Sequence, residues 1–587
     1  MSSAGTNRPG WDNEFPGLMA WELNMLRRHA TNVVEDAELL NRGVLAVDFD
    51  WPVRGSTVAL RAVFPPTYPY FRPHVFLRTD PTSWPQRHIS PLDGGLCLLG
   101  RDSAQWQPES YLVELLKNQL QNALNGIGPQ DPQAEPAEYW WNQRALPGCY
   151  VLIDSAWDLS SASQGTLEMR YFIEAPATKA ADAPPRFRAM VTRVYDESRA
   201  TIAEWNAPVP DFLQNARSVT IAWQRLPQTV LPVGQHLEII HQLRTAYPRT
   251  RGVGVPAWPG QQVRPFVFLH DVELTEDTRG DGWLVGIQVG HPLAFMPHKP
   301  GRPATHATYT GVVSILRAGR GDLGVRVPSV SALANKTVAV VGCGALGAPI
   351  ALELARNGVR RLHLLDHDTV EPGNSIRWPL GAPVWGTPKV DALNAFVAAH
   401  YSGCVVEPFV NALGAPGDGA GETDAEVLAR FLDGVDLVID ASASESVNRL
   451  MWQRCQDRGV PLVRLGATPS VKGGTVAYHA VRGACPVCVQ HARIAGTVPK
   501  PTGHDDIGLM QPAGCGERTF VGADYDLQEL SMQAVRTVVA TLQAPGPNAV
   551  IYTLHLRDAF DRAIPPRWNT SVLHIHPDCA CHGQTRS

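Results

Sequence analysis

Val338-Ala339-Val340-Val341-Gly342-Cys343-Gly344-Ala345-Leu346-Gly347 decides how the C-terminal part of this chain folds. Four uninterrupted apolar residues read as a buried strand, and the glycines that follow read as a tight turn into a helix. Such a turn lets backbone N–H groups and the helix N-terminus meet a phosphate. From about residue 310 onward apolar runs alternate with helical patterns, as a doubly wound parallel sheet requires. Asp366, about twenty residues past the last glycine, ends the next apolar run, where an acidic side chain commonly accepts from a ribose hydroxyl. A dehydrogenase would share that much. Arg377 and Lys389 go further by supplying positive charge for a triphosphate, and Asp440, which ends Val438-Ile439-Asp440, offers magnesium a hard oxygen.

The ordered set Gly342, Gly344, Gly347, Asp366, Asn374, Arg377, Lys389 and Asp440 resembles the ThiF/MoeB adenylating family. That family has the ubiquitin-activating fold and uses ATP to activate a C-terminal carboxylate. The resemblance implies that Asp366 binds ribose, Asn374 and Arg377 hold the nucleotide, Lys389 holds the phosphates and Asp440 organises magnesium. It also implies a homodimer, with Arg317 or Arg320 as candidates for the arginine that reaches a neighbouring subunit's ATP. Cys343, inside the glycine loop, reads as a small filler.

Two cysteines are candidate nucleophiles. Cys515 lies in Pro512-Ala513-Gly514-Cys515-Gly516-Glu517-Arg518, ahead of the helical pattern Leu527 to Val539. A cysteine between glycines is sterically open, and a nearby arginine or helix N-terminus favours its thiolate. In ubiquitin-activating relatives a loop cysteine in this place takes the acyl group from the adenylate as a thioester. Cys97 has the more specific setting. Phe64-Pro65-Pro66-Thr67-Tyr68-Pro69, Pro73-His74-Val75, His88, Gly94-Gly95-Leu96-Cys97-Leu98 and Trp106-Gln107-Pro108 follow the order of a ubiquitin-conjugating domain, which they resemble over most of residues 17–145. The prolines fix an extended shelf and the glycines leave the thiol accessible. One departure matters: the family's His-Pro-Asn is His88-Ile89-Ser90-Pro91 here, so the amide credited with stabilising the oxyanion is absent.

Cys485-Pro486-Val487-Cys488 has the spacing that lets two thiolates meet one zinc. By resemblance to the adenylating relatives a second pair completes the set, here Cys579 and Cys581, with His576 and His582 close by. The Cys-x-Cys spacing departs from the family's Cys-x-x-Cys, which leaves the choice of ligands open. Four protein ligands would make such a site structural.

At 587 residues the chain is too long for one core. The expected architecture is multidomain: an α+β ubiquitin-conjugating-like domain over 17–145, a β-rich middle domain over 146–309, and an α/β Rossmann-like adenylation domain over 310–587. A net charge of −5 lacks the basic excess that nucleic acid demands. No apolar run approaches the roughly 20 residues of a membrane helix, and the start has no signal-peptide pattern, so a cytoplasmic protein is expected. Activating and conjugating domains in one chain resemble the bacterial fusions that accompany cyclic-oligonucleotide synthases in antiphage (CBASS) operons, and other bacterial ubiquitin-like conjugation systems. The expected route runs from ATP and a protein ending in glycine to an acyl-adenylate, a thioester at Cys515, transfer to Cys97 and an amide on a target amine. Sulfur-carrier activation would use the same adenylation residues without Cys97, and a nucleotide-binding scaffold would use neither thiol.

Overall fold

The structure, a computed structural model, describes residues 8–53, 55–79, 88–90, 93–98, 106–125, 137–174, 186–227, 236–250, 253–257, 260–275, 278–292, 308–415, 421–506 and 520–582. The chain divides into two compact units, one of Met1–Asn206 with Asn215–Asp322 and one of Ala207–Gln214 with Leu323–Ser587.

In the first unit the helix Leu18–His29 leads into an antiparallel meander of β1 (Thr31–Glu35), β2 (Ala46–Val53), β3 (Ser56–Val63) and β4 (His74–Leu77). Alternation in β3 buries Leu60 and Ala62 against Phe49, Leu26 and the helical run that starts at Leu112. The stretch Met19–His29 is helical and the alternating stretch Val58–Val63 is strand, which makes this region α+β. Beneath the shelf, the Tyr68 hydroxyl donates to the buried Glu22 carboxyl, whose other oxygen accepts from Leu112 N at 3.3 Å.

The rest of this unit is a barrel. Its strands are β5 (Ala145–Ile153), β6 (Gln164–Glu174), β7 (Arg186–Asp196), β8 (Thr201–Glu204), β9 (Arg217–Arg225), β10 (Val255–Pro256), β11 (Gln262–Thr275), β12 (Thr278–Gly290) and β13 (Thr308–Arg317). Pairing runs β11-β12-β13-β5-β7-β6-β9, and β9 then pairs with β11 through Val267↔Trp223, which closes seven strands on themselves. Phe187, Trp223 and Trp283 fill the inside, while Phe266, Phe268 and Leu284 face the helices Ala137–Asn142 and His236–Ala246. The short apolar runs at 150–153, 220–223, 266–269 and 283–287 all lie in the barrel's strands, as a β-rich middle domain requires. Strand β13 crosses the 309/310 division expected from the sequence, and the second unit takes up the chain at Leu323.

That second unit holds an eight-stranded sheet of β14 (Thr337–Val341), β15 (Arg361–Asp366), β16 (Val405–Val410), β17 (Leu437–Asp440), β18 (Leu462–Ala467), β19 (Gly473–His479), β20 (Ala549–Arg557) and β21 (Ala563–Leu573). The order is β16-β15-β14-β17-β18-β19-β20-β21, parallel from β16 to β18 and antiparallel beyond. The α/β Rossmann-like expectation is met in the parallel part. Strand order reverses between β14 and β17, and such a reversal parts the loops at the strands' carboxyl ends into a crevice. Among the described residues no helix is long and apolar enough to cross a membrane.

Candidate active site

A cavity of about 720 Å³ occupies that crevice. Its walls are the loops after β14, β15, β16 and β17, and it gathers Gly342, Gly344, Asp366, Asn374, Arg377 and Lys389 from the sequence-derived set. The glycines have distinct causes. Gly342 has φ +81, and a Cβ there would lie 2.7 Å from Ser442 backbone; a Cβ on Gly347 would lie 1.8 Å from the Gly342 oxygen. A Cβ on Gly344 would meet nothing within 4 Å, so its backbone is open to an incoming phosphate. The fit to a nucleotide therefore rests on an exposed backbone turn and on the cations beside it.

Asp366 accepts from Cys343 N at 2.5 Å and from Asp368 N at 2.8 Å, which ties the glycine loop to the end of β15. Lys389 begins the helix Lys389–His400, is 7% exposed and donates to Asp368 at 2.7 Å. Arg377 donates to the Phe520 carbonyl at 2.8 Å, with its guanidinium 5.1 Å from that ring's centroid. Asp440 ends β17. It does not line the cavity; one oxygen accepts from Ser442 N at 3.0 Å and from Ser442 Oγ, the other from Asn448 Nδ2 at 3.2 Å. Burial pushes its carboxyl above the usual range, against those hydrogen bonds. These bonds let Asp440 hold the Ala441–Ser444 turn that forms one wall, and the lone pair left on its second oxygen is compatible with a hard cation.

Three wall residues escaped the sequence reading. Asp368 anchors Lys389, Trp378 donates its indole N–H to the Cys343 carbonyl at 2.8 Å, and Phe520 backs Arg377. The spacing Asp366-x-Asp368 could have signalled the first, whereas Phe520 is distant in sequence and no local pattern marks it. Cys343 is fully buried, and burial raises its thiol well above the usual range, as suits a filler. Arg317 requires a correction. Its guanidinium grips both oxygens of the buried Glu138 in the barrel unit, so it is a structural cation there rather than a free arginine finger. Arg320 borders a recess with Asp154 in that same unit.

Cys97 is half-buried in a small ladder. Leu96 N donates to the Val75 carbonyl at 2.7 Å, and Cys97 N donates to the His88 carbonyl at 2.8 Å. Gly94 has φ +72, and a Cβ on Gly95 would lie 3.5 Å from the Phe76 ring. Ser90, which stands where the family has asparagine, is buried and donates its backbone N–H to Gly95 O at 2.7 Å. Cys515 and Arg518 lie outside the described residues.

The sulfurs of Cys485 and Cys488 are 3.6 Å apart, and those of Cys485 and Cys579 are 3.4 Å apart. The fourth ligand atom within reach belongs to His582, whereas Cys581 is exposed and does not join the group. A tetrahedral zinc with Zn–S near 2.3 Å separates its sulfurs by about 3.8 Å, so this donor set fits the ion. His582 Nε2 is buried and has no partner here, as an unfilled ligand position would leave it.

The ThiF family model matches residues 323–545, and the model for prokaryotic E2 family B matches 29–146. Over 563 residues the chain is 39% identical to the uncharacterized protein y4qC of Sinorhizobium fredii, spanning 94% of each. It belongs to the y4qC family. A second protein of that organism, y4oA, is 28% identical over 621 residues, 98% of each chain. The SAMP-activating enzyme E1 of Haloferax volcanii is 31% identical over 255 residues, 43% of this chain and 82% of that protein. This y4qC-family chain thus joins an E2-like region holding Cys97 to a ThiF-like region holding the cavity.

Proposed function

We propose that this chain uses ATP to activate the C-terminal carboxylate of a partner protein and passes the acyl group to an amine. The observation that carries the reading is one cavity presenting an open glycine turn, Arg377 and Lys389, in a chain that also contains an E2-like Cys97. Arg377 and Lys389 neutralise the phosphates, and the Gly342–Gly347 turn offers backbone N–H donors as pyrophosphate leaves. Asp366 serves the ribose and Asn374 the nucleotide. Asp440 shapes the wall and is the residue that would hold magnesium, whose charge would help pyrophosphate leave.

The acyl-adenylate then reacts with the Cys515 thiolate: a C–S bond forms, and AMP leaves with the pair from the broken C–O bond. The Cys97 thiolate attacks that thioester, a second C–S bond forms and Cys515 leaves as thiolate. A target amine finally attacks at Cys97, forming the amide; the amine loses its proton and Cys97 departs as thiolate. The activated protein ends in glycine, and by resemblance to fusions in antiphage operons a cyclic-oligonucleotide synthase is the candidate. A homodimer in the cytoplasm and zinc on Cys485, Cys488, Cys579 and His582 complete the reading.

The thiol order is tested by intact mass and non-reducing gels with ATP and the candidate protein. Cys97→Ala should accumulate a reducible thioester at Cys515 and form no conjugate, while Cys515→Ala should make adenylate and load neither thiol. Normal conjugation by Cys97→Ala would overturn the route.

A further inference from the structure

The backbone around Cys97 shows which side chains share its face. Phe76 pairs with Gly95 and Ile89 with Leu96, both antiparallel, so Cys97 stands across from His74 on one side and from His88 on the other. Burial alternates along both segments. Gly94, Leu96 and Leu98 are buried where Gly95 and Cys97 are not; Pro73, Val75 and Leu77 are buried where Arg72, His74 and Phe76 are not. Arg72, His74 and Cys97 therefore lie on one face, and the register makes Arg72 the diagonal neighbour of Cys97. Diagonal neighbours on a sheet face are within reach of a long side chain. Among the described residues the other charged or titratable groups on the packed segments are His74, His88 and Asp93; Asp93 accepts from Gly95 N at 3.1 Å and pairs with Arg144 at 3.2 Å.

Resting on the E2-like reading of Cys97, we propose that Arg72 supplies the cation that this thiol uses in place of the missing asparagine amide. It stabilises the Cys97 thiolate before attack and the oxyanion of the tetrahedral intermediate during transfer. Independently of the ladder, burial holds the Arg72 guanidinium below its ordinary range while charge at Cys97 acts in the opposite direction, so the two groups sense each other. A guanidinium suits the task because it stays charged when half-buried and presents several donors in a plane. The developing oxyanion calls for such donors, and the Ser90 backbone N–H is engaged with Gly95.

The full-length protein is tested with two probes that require neither ATP nor the natural partner: iodoacetamide, and a synthetic peptide thioester ending in glycine. Arg72→Gln keeps bulk and hydrogen bonding but removes charge. It should slow Cys97 alkylation at one fixed neutral pH about fivefold, since lower thiolate content is partly offset by higher intrinsic nucleophilicity. Discharge of the Cys97 peptide thioester to hydroxylamine should slow about tenfold or more in rate at saturation, with little change in half-saturation. Arg72→Lys should restore most of the alkylation rate, which a packing role would not predict. Wild-type alkylation and discharge in a folded Arg72→Gln protein would overturn the proposal, as would equal defects in Arg72→Gln and Arg72→Lys. If wild type fails to conjugate any protein yet Arg72 controls alkylation in this way, the proposed function falls and the assignment of Arg72 stands.

Discussion

The barrel and the C-terminal sheet are both built from short apolar strands, yet one is filled and the other holds a cavity of about 720 Å³. Closure makes the difference. When β9 pairs with β11 the inward side chains pack into one cluster, and Phe187, Trp223 and Trp283 fill the interior. In the open sheet, β15 and β17 lie on opposite sides of β14, and their loops part above it. In the proposed route chemistry collects at a strand-order reversal and on the Cys97 face, and the barrel serves as a scaffold.

Damage to one region should leave the other's readout untouched. Trp283 is 2% exposed among aromatic neighbours, so Trp283→Ala should cost about 3–5 kcal/mol in a denaturant transition that reports on the barrel. Carboxylate-dependent ATP–pyrophosphate exchange per folded molecule should stay at the wild-type rate. A matching loss of exchange in folded protein would give the barrel a part in the chemistry. Lys389→Ala should do the reverse and lower exchange by about 100-fold or more with the protein folded, because a preorganised cation beside the phosphates is lost. Full exchange in that variant would remove the cavity as the adenylation site.

The conjugating-like region holds a buried acid of its own, Glu22, bonded to the Tyr68 hydroxyl and to Leu112 N. Burial raises the Glu22 carboxyl from 4.5 to about 7, against the hydrogen bonds from Tyr68 and Leu112 N. A folded-state pKa above the unfolded value gives stability that is full below about 4.5 and is lost as pH rises through about 7. The change is worth about 3 kcal/mol. Unfolding of this region followed across that window should show the decline, and Glu22→Gln should flatten it. A slope unchanged in Glu22→Gln would mean that another group carries the dependence.

What the sequence made legible was whatever local pattern encodes. The runs at 150–153 and 266–269 read as strands because apolar residues cluster between turn signals, and the glycine loop reads because only glycine fits Gly342 and Gly347. Long-range pairing was not legible. Nothing near Arg317 announces Glu138, and nothing near β9 announces its parallel partner β11. Asp440 was assigned by its place at a strand end, yet whether its oxygens face the cavity or Ser442 and Asn448 depends on the turn that follows.

The smallest expected effect separates two adjacent residues. Cys579, Cys581 and His582 are too close together for spacing to choose between the last two, and residue type favours the cysteine. The turn after Cys579 decides otherwise: His582 N donates to the Cys579 carbonyl at 3.1 Å, which brings the imidazole to the three sulfurs and leaves Cys581 exposed. Cys581→Ser should therefore leave zinc content and thermal stability within error of wild type. His582→Ala should lower zinc occupancy after dialysis against a weak chelator, and Cys485→Ser should lower it further because a thiolate contributes more to the site than an imidazole. The site ties the start of the helix Pro486–Ile494 to the chain beyond β21, so zinc loss should loosen that end of the sheet while exchange at the β14 loop persists. Elemental analysis that finds no zinc in wild type would reject the metal, and loss of zinc in Cys581→Ser but not in His582→Ala would restore the four-cysteine arrangement.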